Sequence, residues 1–288
     1  MKATRKCKFG PAGNSLSFYA EGNKSTAQAF AWLKARGLDA YEYQAGKGLY
    51  ASDDTFRIIK SKAAEYGIAV SLHGPYFISL SSADDDIRMK SVRYITQSAS
   101  AADMLGADIF VVHSGSAAKL EREEAMRKAE DTLEKAASAM SAEGFEAKAG
   151  IETMGKINQL GTVDEVIRLC KVCPEKFYPV VDFGHLNART NGGIKTEDDY
   201  KRIFDMIAAG LGPERAENLH CHFSKIEYTG MGEKKHLTFA DDKYGPDERL
   251  FIKAVVSLGV TPTVICESDG TMAEDAKHMK NIYEEMIK

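Results

Sequence analysis

The chemistry-bearing side chains of this chain recur at one kind of place, the end of a short apolar run. Val-Ser-Leu-His73, Val-Val-His113, Gly-Ile-Glu152, Val-Val-Asp182 with His185 three residues on, His220-Cys-His222 and Val-Ile-Cys-Glu267 all follow that pattern. Imidazole nitrogens and carboxylate oxygens are ligands of zinc, manganese and iron. One histidine so placed is most simply a buried ring satisfied by a hydrogen bond. The repetition is different: of the 7 histidines in the chain, His73, His113, His185, His220 and His222 all sit there. The set points to a metal centre. It exceeds the three or so protein ligands that one catalytic zinc takes, so two or more ions are implied. A central carboxylate, Glu152, suits a bridge between two ions about 3.5–4 Å apart, which activate a hydroxide and stabilise a phosphorane-like transition state. The chemistry indicated is phosphoester hydrolysis.

The elements that must position these residues alternate from end to end. Strands are predicted over residues 6–10, 39–44, 69–74, 108–114, 149–154, 178–184, 218–224 and 261–268, and helices over 26–36, 53–66, 84–105, 122–143, 163–170, 196–209, 247–258 and 273–287. Gly37, Gly67, Gly106, Gly144 and Gly259 stand where a left-handed helix end wants glycine. Eight βα units without a Pro/Gly/Ser-rich linker predict one closed (β/α)8 TIM barrel of the α/β class over residues 1–288, rather than two doubly wound domains. In such a barrel the reactive groups come from the C-terminal ends of the strands. His220 and His222 are two apart and face the same way; His222, nearer the rim, is the candidate ligand and His220 its buried neighbour. Asp182 and His185, three apart across a strand end, are placed to serve neighbouring ions. No strand is followed by a G-x-G-x-x-G or G-x-x-x-x-G-K-[ST] loop, which argues against nucleotide binding.

The 288 residues are 44% hydrophobic and 28% charged, which excludes disordered and collagen-like classes. Lys and Arg total 38 against 42 Asp and Glu, a net charge of −4, so no global basic field attracts a polyanion; buried metal ions would add positive charge that this sum omits. The 5 cysteines, Cys7, Cys170, Cys173, Cys221 and Cys266, are odd in number and dispersed, and no secretory apolar core opens the chain. Reduced thiols in the cytoplasm are expected. Cys170 and Cys173 form a C-x-x-C without a second pair and read as structural. No run approaches the roughly 18 apolar residues that span a bilayer, so a membrane partner is not expected.

Taken in order, Leu72-His73-Gly-Pro-Tyr76-Phe-Ile-Ser-Leu, Val112-His113-Ser-Gly-Ser, Ile151-Glu152-Thr, Val181-Asp182-Phe-Gly-His185 and Ile265-Cys-Glu267 resemble the endonuclease IV family of abasic-site nucleases, within the xylose isomerase-like TIM barrels, over residues 69–270. The resemblance implies a barrel with three zinc ions that cleaves DNA 5′ to an abasic site. It makes His73 and His113 ligands of one zinc, with Glu152 bridging to a second held also by Asp182, His222 and Glu267. His185 would bind the third. The family's Asp-x-His pair for that ion is here Glu233-Lys-Lys-His236; His236 is carried over as a ligand and Glu233 is left open. The family's first-strand His-x-Ser is replaced by Lys8-Phe-Gly-Pro-Ala-Gly-Asn-Ser, and the glycine-rich loop after the Asp-x-His pair by Leu237-Thr-Phe-Ala-Asp-Asp-Lys-Tyr-Gly. Both departures fall on substrate-facing loops and bear on substrate identity.

Glu152 and Glu267 are the candidate catalytic carboxylates. Tyr76, Gln44 and Arg189 are candidate substrate contacts, with Lys47, Tyr50 and Asn191 on the same loops and local positive charge from Lys225, Lys234 and Lys235. The expected cofactor is zinc, two or three ions per chain, and the expected partner is DNA containing abasic sites. A second reading resembles the related sugar isomerases and epimerases: one divalent ion such as manganese on Glu152, Asp182, His222 and Glu267, acting on a sugar or sugar phosphate with the two glutamates as acid and base. His73 and His113 have no evident use in that reading. A third, a barrel that keeps metals for structure or binds a modified nucleic acid without cutting it, fits poorly with ligands scattered over six strands.

Overall fold

The short apolar runs form strands because both of their faces are covered. The computed structural model describes residues 6–288. The runs are β1 (Lys8–Pro11), β2 (Ala40–Gln44), β3 (Ala69–His73), β4 (Ile109–His113), β5 (Lys148–Glu152), β6 (Phe177–Asp182) and β7 (His220–Phe223). After a hairpin of β8 (Ile226–Thr229) and β9 (Gly232–His236) comes β10 (Thr263–Cys266). Among the described residues, 8 strands pair in the order β1-β10-β7-β6-β5-β4-β3-β2, every pairing parallel. The two ends meet: the Asp39 N–H donates to the Phe9 carbonyl at 3.0 Å and the Gly13 N–H to the Glu42 carbonyl at 2.9 Å. Gly10 permits this closure, since a Cβ there would lie 1.8 Å from the Ala40 carbonyl oxygen. The fold is the expected single (β/α)8 barrel; residues 1–5 of the expected span lie outside the described residues.

Around it run α1 (Leu16–Ala20), α2 (Ala29–Ala35), α3 (Asp53–Tyr66), α4 (Asp85–Leu105), α5 (Arg122–Ala142), α6 (Val163–Cys170), α7 (Phe183–Arg189), α8 (Glu197–Leu211), α9 (Pro213–Glu217), α10 (Glu248–Leu258) and α11 (Met272–Met286). Local chemistry sets their ends. Asp84 and Asp247 accept first-turn N–H groups, and Thr162 with Glu165 and Thr196 with Asp199 form reciprocal caps. The expected helix-end glycines take φ values from 66° to 74°.

Three local expectations are corrected. The helix expected over 26–36 begins as a 3-10 turn, Thr26–Gln28. The strand expected to 184 stops at Asp182, whose side chain caps α7. The direct run from the seventh strand to the next helix is interrupted by β8 and β9. The five-to-seven-residue helices and the hairpin are too short to show a period in sequence.

Outward side chains such as Phe9, Leu72, Phe110, Val181 and Phe223 pack under the helices in one continuous core. Inward positions mix small and polar residues such as Gly10, Ala40, Glu42, Ser71 and Gly150 with the aliphatic Val111, Val180 and Ile265. A separate apolar cluster of Ala12, Ala40 and Ile265 lies apart from that core, and the polar groups gather towards the strand ends. The cysteines are unpaired, with Cys170 buried and Cys173 half-buried. Among the described residues no helix is long and apolar enough to cross a membrane.

Candidate metal centre

Strand register brings the candidate ligands side by side. His113 pairs across from Glu152, and Asp182 from His222. Glu152, buried at the end of β5, is central. Its Oε2 lies 3.7 Å from His73 Nε2 and 3.5 Å from His113 Nε2. Its Oε1 lies 2.8 Å from His222 Nδ1 and 3.7 Å from His185 Nδ1. One carboxylate therefore faces two groups that could each hold a cation: His73–His113–Glu152 and Glu152–Asp182–His222–Glu267. Glu267, one residue past β10, is fixed by its N–H on the Phe223 carbonyl at 3.1 Å, with Oε2 3.6 Å from His222 Nδ1.

The donor set fits divalent cations on three observations. Buried Glu152 Oε2 and Asp182 Oδ2 have no hydrogen-bond partner, a costly state that an ion would relieve. The ion pairs made here by Glu152, Asp182 and Glu267 are all with histidines. Finally, the rings are held by their far nitrogens. His73 Nδ1 donates to the Gly74 carbonyl at 2.9 Å, and His185 Nδ1 to the Thr153 carbonyl at 2.9 Å, which turns His73 Nε2 towards Glu152 and His185 Nε2 towards Glu233. His236 Nδ1 meets Ser224 Oγ at 2.8 Å. Such outer bonds orient metal-binding imidazoles.

The charges follow the same logic. Burial opposes ionisation of Glu152, but His222, His73 and His185 hold it well below the usual carboxylate range. Burial likewise works against His222, yet Glu267, Glu42 and Glu152 hold it well above the usual imidazole value. A proton on Nδ1, between Glu152 and Glu267, thus stands where a cation would be attracted. At the mouth, burial dominates over Glu152 and His113 is pushed down to about 3, a neutral ring with a free lone pair.

A third group, His185–Glu233–His236, forms away from the strand ends. His185 sits in the first turn of α7, its N–H donating to Asp182 Oδ1 at 2.8 Å. Glu233 and His236 come from β9. Glu233 Oε2 lies 3.5 Å from His185 Nε2, and Oε1 lies 3.9 Å from His236 Nε2. Residues three apart on a regular strand face opposite sides, but the β8–β9 register jumps from Glu227↔Lys235 to Tyr228↔Glu233. Lys234 is the extra residue of a bulge, and the bulge puts Glu233 and His236 on one face. The hairpin is pinned to the loop after β5 by the Glu233 N–H on the Gly155 carbonyl at 3.1 Å and the Ile157 N–H on the Met231 carbonyl at 3.2 Å. Gly155 must be small, because a Cβ there would lie 2.6 Å from Glu233 Cβ.

His73, His113, Glu152, His185, Glu233, His236 and Glu267 line a cavity of about 730 Å³, with Gln44, Tyr76, Lys156, Lys234 and Lys235 around them; Asp182 and His222 lie beneath it. A larger opening of about 1640 Å³ at the other end of the barrel holds His220 but none of the three groups' ligands. Tyr76 is exposed, stacked on His113 at 5.4 Å, with its hydroxyl 3.4 Å from Gln44 Oε1. Arg189 is occupied elsewhere: its guanidinium donates to the carbonyls of Met154, Lys156, Ile157 and Gln159 and holds the loop after β5. Lys225 likewise binds the carbonyls of Phe239 and Asp241. His220 is buried, its Nε2 3.0 Å from Glu42. Glu42 itself is fully buried and was missed in the sequence; its signal is a carboxylate inside the run Tyr-Glu42-Tyr, two residues before Gln44 and so on the same inward side.

This site and fold define a (β/α)8 barrel whose strand ends gather groups that could hold metal ions. Residues 30–282 match the model of the xylose isomerase-like TIM barrel family, and the chain belongs to that family. It is 29% identical over 280 residues to a Methanocaldococcus jannaschii protein named only as uncharacterized protein MJ0133, covering 96% of this chain and 97% of the other. It is 27% identical over 179 residues to a probable endonuclease 4 of Thermoplasma acidophilum, covering 61% of this chain and 59% of that one. Among solved structures, endonuclease IV from Thermus thermophilus superposes with a TM-score of 0.71 at 17% identity, covering 97% and 98% of the two chains. A D-tagatose 3-epimerase-like protein superposes with 0.69 at 20% identity, again covering 97% and 98%. These two likenesses concern the fold.

Proposed function

We propose that the chain is a zinc-dependent phosphodiesterase that cleaves DNA 5′ to abasic sites. The observation that carries this reading is the sharing of Glu152 between two groups, with His185–Glu233–His236 beside them. A single-cation enzyme has no use for His73, His113 and that third group. The sequence likeness to a probable endonuclease 4 supports the same direction. Bound ions would supply Lewis-acid activation of water and neutralisation of the phosphate oxygens. The chain supplies the rest: Glu152, kept ionised by His222 and its neighbours, holds negative charge against that centre, and Glu267, whose carboxyl burial pushes up, stands beside it as a further oxygen ligand. Tyr76 offers a ring and hydroxyl to a sugar or phosphate, and Lys156 adds positive charge at the mouth. Lys234 and Lys235 face Glu227 at 2.6 and 3.8 Å, which moderates theirs.

A second reading rests on the Glu152–Asp182–His222–Glu267 group taken alone. It would serve one manganese ion in a sugar epimerase, with the two glutamates flanking a ketose. One experiment separates the two: the zinc-loaded protein is given a duplex with a single abasic site, and the manganese-loaded protein a panel of ketoses. Incision on the 5′ side of the lesion supports the nuclease; an intact duplex together with epimerised ketose overturns it.

A further inference from the structure

We propose that Glu42 is a positioning residue that fixes which nitrogen His222 turns to the metal centre, an inference that rests on the metal-centre reading above. Glu42 sits in the middle of β2, fully buried inside the barrel. Ser71 Oγ donates to its Oε2 at 2.9 Å, and His220 Nε2 meets the same oxygen at 3.0 Å. His222 Nε2 lies 3.1 Å from Oε1 and 3.2 Å from Oε2, and Gln44 Nε2 donates to Oε1 at 3.2 Å. An ionised carboxylate only accepts, so the facing nitrogens of His220 and His222 carry protons.

With Nε2–H spent on Glu42, Nδ1 is the nitrogen His222 offers beside Glu152, Asp182 and Glu267, where a bound ion would take the place of the Nδ1 proton. The ring cannot turn over without breaking its Glu42 bond and leaving a buried carboxylate short of a donor, which is costly. The same carboxylate orients Gln44. The amide N–H is held inward, so its carbonyl oxygen faces the Tyr76 hydroxyl and the cavity, presenting an acceptor to a substrate hydroxyl. Glu42, His220 and His222 are also close enough together to be a cation group themselves, but the four donors around Glu42 already fill its oxygens.

The test reads the histidine ring nitrogens by ¹⁵N NMR in the zinc-loaded wild type and titrates zinc into the wild type and Glu42→Gln, with thermal melting as the check on folding. The expected result is a His222 ring protonated at Nε2 and metal-bound at Nδ1. In E42Q one class of zinc site should weaken by about 10- to 100-fold, as when an outer carboxylate is removed from a metal-binding imidazole. A wild-type His222 bound through Nε2 would overturn the inference without any variant, and so would a zinc affinity in E42Q equal to the wild type's. If E42Q does not fold, the wild-type spectrum decides. A wild type that takes up no zinc sinks the metal-centre reading itself, whereas zinc uptake insensitive to E42Q sinks only the role of Glu42.

Discussion

The candidate centre has two halves built in different ways. His73, His113, Glu152 and Asp182 terminate barrel strands, His222 lies within β7 and Glu267 one residue beyond β10, so their spacing is set by register and by a core packed on both faces. Glu233 and His236 hang on a two-stranded hairpin whose position depends on a bulge, on Gly155 and on Gly232, where a Cβ would lie 2.2 Å from the Gly155 carbonyl oxygen, and on backbone bonds to the loop after β5. The first half is backed by the barrel and resists small changes elsewhere. The second is a docked attachment, and loosening its clasp should cost that group alone.

The largest effect should come from the residue the two strand-borne groups share. Glu152→Gln keeps the volume but removes the charge facing both, so zinc content should fall by more than one ion per chain. Hydrolysis should drop by roughly 10³-fold or more, several kcal/mol of charge stabilisation. Elemental analysis and single-turnover kinetics check this; a variant that retains its zinc would break the shared-carboxylate account.

Next comes Gly155→Ala, which drives a methyl group towards Glu233. The hairpin zinc should weaken about 10- to 100-fold while the strand-borne ions stay, as competition titration with a chelator would reveal. Equal loss from all groups would erase the distinction between the two halves. Arg189→Ala removes four carbonyl contacts from the loop that anchors the hairpin; stability should fall by about 1–3 kcal/mol, read as a lower melting temperature, with the hairpin ion again the one affected. Substrate affinity falling with melting temperature and zinc content unchanged would instead return Arg189 to a substrate-contact role.

The smallest effect is expected from deleting Lys234. The bulge would vanish and Glu233-Lys-His would become a regular two-residue spacing with both ligands still on one face. Zinc content should be preserved. Loss of the third ion on deletion would show that the bulge does more than absorb the extra residue.

The same division explains what the sequence revealed. The strand-end residues were legible because buried parallel strands are short apolar runs, and a polar residue at the end of each is visible without any structure. Glu233 was not, since its face depends on a bulge that sequence periodicity does not register. Glu42 was hidden for another reason: attention to strand ends passes over a carboxylate one layer down, whose partners, Ser71, His220 and His222, are brought to it only by barrel closure. Arg189 appeared as a rim cation because its chemistry is visible in sequence, whereas the four carbonyls that occupy it are not.

The central claim, a centre for more than one ion, is tested most directly by metal content per chain in the purified wild type without chelator, measured by elemental analysis. Two or three zinc ions per chain are predicted. One manganese, cobalt or magnesium ion per chain would contradict the account and turn attention to the epimerase reading.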